Sequence, residues 1–218
     1  MPRHLDGAVV VVLGAGGGLG RAITTALGSR GATVVGASRS SDDVSLDIRD
    51  VGAGDELVNV VRERHGRLDG VVNATGIVAF GNLADTDDAV IEELFLTNVL
   101  GPLWLTRRVA PMLAEHDGFV VNISGVIAES PVPGMAAYAA SKAALAAAAT
   151  ALRRELRRSG ITVIDVRPPH TETGLADHPL AGSAPRMPSG LDPAAVGERI
   201  VAAIEADETD VGSDAFGG

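Results

Sequence analysis

Residues 8–13 form an unbroken apolar run, Ala-Val-Val-Val-Val-Leu, that stops in Gly14-Ala15-Gly16-Gly17-Gly18-Leu19-Gly20. A short β-branched run bounded by glycine reads as a buried strand followed by a tight turn. Leu19, Ile23 and Leu27 then recur at helical spacing, and Gly31 closes the segment. A helix opening directly off a glycine turn aims backbone N–H groups and the positive end of its dipole at the turn, which suits a phosphate. Glycine there permits positive φ, close approach of a pyrophosphate and tight helix–strand packing. No Gly-Lys-Ser/Thr follows, which argues against a phosphate-loop NTPase. The order strand, glycine turn, helix therefore predicts dinucleotide binding.

The same alternation continues along the chain. Strands are expected at 32–37, 44–47, 69–74, 118–124 and 161–167, with a short one at the end. Helices are expected at 51–65, 86–114, 137–158 and from Asp192 to Asp207. Strands alternating with helices mean βαβ units, a parallel sheet and right-handed crossovers. Aromatic residues make up only 3% of the chain, so Val, Leu, Ile and Ala must build the core. At 218 residues, with no dividing linker, residues 1–218 are expected to form a single α/β domain, doubly wound (Rossmann-type), with helices on both faces of the sheet. The Pro/Gly-rich stretch 168–191 is long for a connection and is expected to be a substrate loop.

Composition excludes several classes. The chain has no cysteine, hence no disulfide and no thiolate chemistry. No apolar stretch of signal-peptide length precedes the first strand, and no run approaches the roughly 20 apolar residues of a membrane span, so a cytoplasmic protein with no membrane partner is expected. A formal charge of -10 argues against nucleic acid. Arg153, Arg154, Arg157 and Arg158 end a helical segment and read as a solvated face favoured by the helix dipole. His170 and His178 lack a third ligand at suitable spacing, so no metal is expected.

Folds of this kind that select NAD place an acid at the end of the second strand, on the ribose 2′-hydroxyl. Here Ser38 and Arg39 stand there instead, and both can donate to a 2′-phosphate. NADP is the expected cofactor, with NAD as the alternative.

Tyr138 and Lys142 are spaced i, i+4 at the start of a predicted helix, so phenol and ammonium share a face. A cation beside a phenol lowers its pKa towards the range useful for proton transfer. With Gly14-x-x-x-Gly18-x-Gly20, Asn73 after the fourth strand and Ser124 after the fifth, these residues appear in order at successive strand ends. Together they resemble the short-chain dehydrogenase/reductase family over nearly the whole chain. The resemblance implies an NAD(P)-dependent oxidoreductase acting on CH–OH or C=O groups. Tyr138 would be the acid/base, Lys142 would bind the nicotinamide ribose and tune the tyrosine, and Asn98 would support a proton relay. Gly14, Gly18, Leu19 and Gly20 would hold the pyrophosphate, and Asp47 would meet the adenine. Asn73 and Gly76 match the turn beside the cofactor, and Pro168 with Thr171 or Thr173 the segment over the carboxamide.

The chain departs from that pattern at four places. Ala74 and Thr75 replace an Asn and an Ala of the family's Asn-Asn-Ala-Gly turn, and Pro169 replaces the glycine of Pro-Gly. Between Ser38 and Asp47 there is room only for a turn where the family has a helix. The family's serine, thirteen residues before the tyrosine, falls on Gly125. Either Ser124 serves, which the oxygen's need for a hydroxyl donor favours, or Tyr138 polarises the carbonyl alone.

The substrate pocket is expected between 126–136 and 168–191. Val126, Ile127, Val132, Met135 and Leu175 make it apolar, and Glu129, Glu172 and Asp177 are its charges. A small apolar ketone or secondary alcohol follows, which makes the chain a carbonyl reductase or alcohol dehydrogenase. The rival readings are a non-catalytic dinucleotide-binding sensor or partner protein and a same-fold isomerase or dehydratase. The alanine-rich helix, as in relatives of this fold, implies a homodimer or homotetramer.

Overall fold

The computed structural model describes residues 2–41 and 43–217. Seven parallel strands form one sheet: β1 (Val9–Leu13), β2 (Thr33–Ser38), β3 (Val44–Ser45), β4 (Gly70–Asn73), β5 (Phe119–Ile123), β6 (Thr162–Val166) and β7 (Asp210–Val211). Their order is β3-β2-β1-β4-β5-β6-β7. The chain winds outward from β1 to β3, then returns to the other side of β1 and winds outward again. The reversal lies between β1 and β4, and in open α/β sheets ligands bind outside the strand C-termini at that point.

The central strands β1, β4 and β5 are buried on both faces, which is why each reads as an apolar run rather than an alternation. Val9, Val11 and Leu13 pack with Leu57 and Val61 of α2 (Ala53–His65) and Leu105, Val109 and Met112 of α4 (Gly101–Ala114). Val10 and Val12 face the other way, onto Ile23 and Leu27 of α1 (Gly18–Ser29) and Val196, Ile200 and Ile204 of α6 (Pro193–Glu205). Local signals fix the helix ends. Gly66 closes α2 in the left-handed conformation, and the Asp192 side chain accepts from Ala194 N at the start of α6.

Two further helices position the site: α3 (Asp88–Phe95) and α5 (Ala136–Leu156). The chain passes from α3 to α4 without a break, but Leu96–Leu100 widen into a π-helical turn. The span Asp88–Ala114 is long and apolar enough to cross a membrane by length and composition, which the sequence reading did not anticipate. Its Leu94, Val99, Leu105, Val109, Met112 and Leu113 are instead buried inside this domain.

The described residues between Ser38 and Asp47 form a turn and the two-residue β3, with no helix. The 168–191 stretch is tied down at several points. Thr171 bridges to Leu191, and Glu172 accepts from Gly190 N at 2.6 Å, which pinches the loop shut at its base. Farther out, Phe80 N donates to Ala181 O at 2.9 Å and Leu180 N to Val78 O at 2.7 Å. The loop is thereby woven onto the segment leaving β4.

Candidate active site

The glycine turn sits at the reversal of strand order. Gly14 has φ +74°, a left-handed value that favours glycine, and a Cβ there would stand 3.0 Å from the Ala74 carbonyl. At Gly20 a Cβ would lie 2.1 Å from Gly14 O, so the first turn of α1 can rest on the strand end only as glycine. Leu19 between them is half-buried and packs against the core on the α1 side. A Cβ on Gly18 would meet Thr173 O at 2.6 Å, so the 168–191 loop lies directly on the head of α1. Thr173, not Thr171, makes this approach; Thr171 bonds back to Pro169 O, and Pro168 is buried below.

A cleft of about 280 Å³ opens beside the turn, lined by Gly14, Gly17, Ser38, Arg39, Asp47, Arg49, Gly76 and Glu93 among others. These residues fit the nucleotide that the sequence implies. Backbone glycines lie at one wall, while the Ser38 hydroxyl and the exposed Arg39 stand at the end of β2. Asp47 is already engaged. Arg49 donates to both its carboxylate oxygens, at 2.9, 3.1 and 2.5 Å, and to Glu93 at 2.6 Å. The guanidinium holds the Asp47 carboxyl down at about 2, against the opposing effect of burial. Sequence spacing gave no hint of this Asp47–Arg49–Glu93 clasp, because Glu93 comes from a distant helix.

Asn73 is buried between the strands and bridges to Asn122, its partner in the β4–β5 register, at 3.4 Å. It also accepts from Thr75 N, which steadies the altered turn. Gly76 follows, where a Cβ would stand 3.3 Å from Lys142 Nζ and 3.5 Å from Asn98 Oδ1. With no side chain of its own, Gly76 lies between the cleft that it lines and the lysine.

Asn98 lies within the π-helical turn, fully buried. Such turns recur at functional sites because they redirect a side chain that a regular helix would point elsewhere. Its amide accepts from Ile77 N and donates to Ile77 O, both at 3.0 Å, and donates to Ser141 Oγ at 3.0 Å. Ser141 in turn donates to Tyr138 O at 2.7 Å. Sequence reasoning missed Ser141, although its place next to Lys142 was a usable signal.

Lys142 is 5% exposed and donates to Ile123 O at 2.8 Å. Burial pushes its ammonium down to about 8, and the Asp165 carboxylate opposes that. Tyr138, one turn earlier, is pushed up to about 12 by burial. This reverses the lowering expected from the neighbouring lysine: desolvation of the phenolate dominates in the protein by itself.

The expectation for Ser124 meets a different geometry. Ser124 has no exposed surface, and its hydroxyl donates to Asp165 Oδ1 at 2.7 Å, so it is not presented to the cleft. A one-residue offset along a strand reverses the side chain's direction, and the reversal falls on Ser124. Gly125, at the position the family gives to serine, has φ 77° and ψ 161°. That backbone region is essentially confined to glycine. The chain thus lacks the serine and also holds a backbone that disfavours one.

The substrate side loses two of its three expected acids to structure. Glu129 accepts from Arg167 Nε at 2.7 Å and Ser213 N at 3.3 Å, and Glu172 holds the loop base through Gly190. Val132, Leu175 and Leu180 stay exposed around the opening.

The structure thus brings a sheet reversal, a glycine turn, a Tyr–Lys pair and a buried Asn to one end of the sheet. The family model described as short chain dehydrogenase matches residues 8–181. The chain belongs to the short-chain dehydrogenase family. It is an NAD(P)-dependent oxidoreductase of the type acting on CH–OH or C=O groups. The chain is 31% identical over 239 residues to a dehydrogenase/reductase SDR family protein 7-like of Anopheles gambiae, covering 96% of this chain and 75% of that one. It is 31% identical over 226 residues to the ketoacyl reductase HetN of a Nostoc strain, covering 95% and 78%. The solved structure of a short-chain dehydrogenase from Streptomyces avermitilis superposes with a TM-score of 0.84 at 31% identity, covering 96% and 90%. This short-chain dehydrogenase therefore shares the fold of that structure along nearly its whole length, and its departures at residues 74, 75, 125 and 169 are substitutions within a common frame.

Proposed function

We propose that this short-chain dehydrogenase is an NADPH-dependent carbonyl reductase, reversible as an alcohol dehydrogenase, with Tyr138 as its acid/base. The observation that carries the reading is the Tyr138–Lys142 pair at the head of α5, its lysine buried on Ile123 O beside Gly76, a residue that lines the cleft. When bound, the nicotinamide supplies or accepts the hydride. Tyr138, held up at about 12, keeps its proton at neutral pH and is therefore an acid ready to protonate a developing alkoxide. Lys142, as ammonium, would hold the ribose hydroxyls and favour negative charge on the tyrosine oxygen. Asn98 and Ser141 fix the first turn of α5 against the segment after β4, and so set where the phenol points.

Arg39 and Ser38 at the end of β2, both able to donate to a 2′-phosphate, support NADPH over NADH. An apolar opening supports a small apolar ketone or secondary alcohol as substrate. Ala140, Ala143 and Ala147 form an exposed small-residue face on α5, which supports assembly as a homodimer or homotetramer in the cytoplasm.

One observation favours the second reading, a non-catalytic dinucleotide sensor: neither Ser124 nor Gly125 offers a hydroxyl to the substrate oxygen. Fluorescence titration with NADPH and NADH, repeated in Arg39→Ala, tests the cofactor assignment. Selective weakening of NADPH in the variant is expected. Equal weakening of both cofactors would remove the 2′-phosphate contact. Turnover of any carbonyl compound by the wild type separates reductase from sensor.

A further inference from the structure

The floor beneath the Tyr138–Lys142 pair holds a carboxylate that the chemistry above does not use. Asp165 sits in the middle of β6, 1% exposed, between Ile164 and Val166. A polar side chain in such a place needs dedicated hydrogen-bond partners. Asp165 has two: Arg167 Nη1 donates to Oδ2 at 2.5 Å and Ser124 Oγ to Oδ1 at 2.7 Å. Arg167 is shared, donating also to Glu129 at 2.7 Å and to Asp210 at 2.6 Å. One guanidinium therefore serves three carboxylates, and the cluster carries net negative charge.

Lys142 lies above this cluster. The groups facing it are few. Tyr138 comes from its own helix, the Asn98 amide from the π-helical turn across Gly76, the Ile123 carbonyl from β5 and Asp165 from β6. The Asp165 charge favours the ammonium, against the effect of burial. The two are also joined through the backbone. Lys142 binds the carbonyl of Ile123, and that carbonyl belongs to the peptide that leads into Ser124. Ser124 is held at its own N–H by Val166 O at 3.0 Å and at its hydroxyl by Asp165.

We propose that Asp165 is a positioning residue for the proton-transfer pair: it fixes the Ile123–Ser124 peptide that carries the Lys142 ammonium and supplies the counter-charge beneath that ammonium. The proposal rests on the roles given above to Tyr138 and Lys142. It also explains why Ser124 is turned inward, since its hydroxyl serves Asp165. Burial favours the neutral amine, and the buried carboxylate favours the ammonium. Without the carboxylate the ammonium would be lost at lower pH, and with it both its hold on ribose hydroxyls and its support of the tyrosine.

The test compares wild type, Asp165→Asn and Ser124→Ala by NADPH affinity, measured as nicotinamide fluorescence from pH 6 to 10, and by carbonyl turnover over the same range. Asp165→Asn keeps the shape and removes the charge, while Arg167 retains Glu129 and Asp210. The expected result is that the alkaline midpoint of NADPH binding falls by about one pH unit in Asp165→Asn. In Ser124→Ala the midpoint should stay put while turnover at saturation drops several-fold. An Asp165→Asn variant with a lower melting temperature but the wild-type midpoint would make Asp165 a structural residue only and overturn the proposal. Should Asp165→Asn fail to fold, wild-type turnover in Ser124→Ala overturns it instead. If wild type reduces no carbonyl compound yet the binding midpoint still moves in Asp165→Asn, the reductase reading fails and the Asp165–Lys142 coupling stands.

Discussion

In the proposed mechanism Tyr138 would act on the substrate oxygen without help from Gly125. In the family pattern a serine hydroxyl and a tyrosine share the work of polarising it; here the serine position is a glycine at φ 77° and the tyrosine stands alone. Proton transfer from a positioned side chain contributes about 10²–10⁴-fold to rate. Tyr138→Phe should lower carbonyl turnover by that order and leave NADPH affinity within a few-fold of wild type, as checked by steady-state rates beside a fluorescence titration. Full turnover in the variant would remove Tyr138 from the chemistry. Gly125→Ser, which would restore the family's residue, should not restore its function. A side chain in that backbone region costs about 1–3 kcal/mol. The variant should therefore melt at lower temperature with no gain in turnover, and a gain would show that the backbone yields cheaply.

The elements show why part of this site was legible in the sequence and part was not. Buried parallel strands are continuous apolar runs ended by glycine or polar residues, so β1, β4, β5 and β6 lie within a residue or so of where the sequence places them. The glycine turn was legible for the same reason that it works: each glycine answers a steric demand. Gly20→Ala should put a methyl 2.1 Å from Gly14 O and push α1 off the strand end. NADPH binding should then lose about 1.4 kcal/mol or more, tenfold in Kd, which titration of the folded variant checks. The π-helical turn left no comparable mark. One extra residue per turn in Leu96–Leu100 leaves the apolar spacing of 86–114 helical in appearance, so Asn98 could be named but its inward aim could not. Ser124 was misplaced by a single step along a strand, the error to which a period of two is most sensitive. The reach of Arg49 from its neighbour Asp47 to Glu93 spans a long stretch of sequence, and local spacing carries no record of it. Asp165 did leave a signal, as an acid inside an apolar strand.

Across the whole molecule, placing a lysine in the interior makes folding stability depend on pH in a definite direction. Lys142 titrates at about 8 in the folded protein and at about 10.4 in an unfolded chain. Below 8 both states hold the proton, and the folded state bears the full cost of burying the ammonium, about 3 kcal/mol from the difference in pKa. Between 8 and about 10.4 the unfolded chain binds more protons than the native one, so this group's contribution to stability rises with pH. Tyr138 acts in the other direction but later. Its phenol holds its proton up to about 12 in the native state and loses it near 10 in the unfolded one, so its contribution falls above pH 10. Lys142→Met retains the apolar stem and removes only the first effect, while Tyr138 is common to both proteins and cancels in the comparison. The variant should be the more stable protein at pH 7, by up to that 3 kcal/mol less the lost bond to Ile123 O. Its advantage should shrink steadily from pH 8 and vanish near 10.4, as followed by thermal melts of the cofactor-free proteins. A constant advantage across that range would mean that Lys142 keeps its proton throughout, and the ammonium would then have to be better supported from below than burial alone allows.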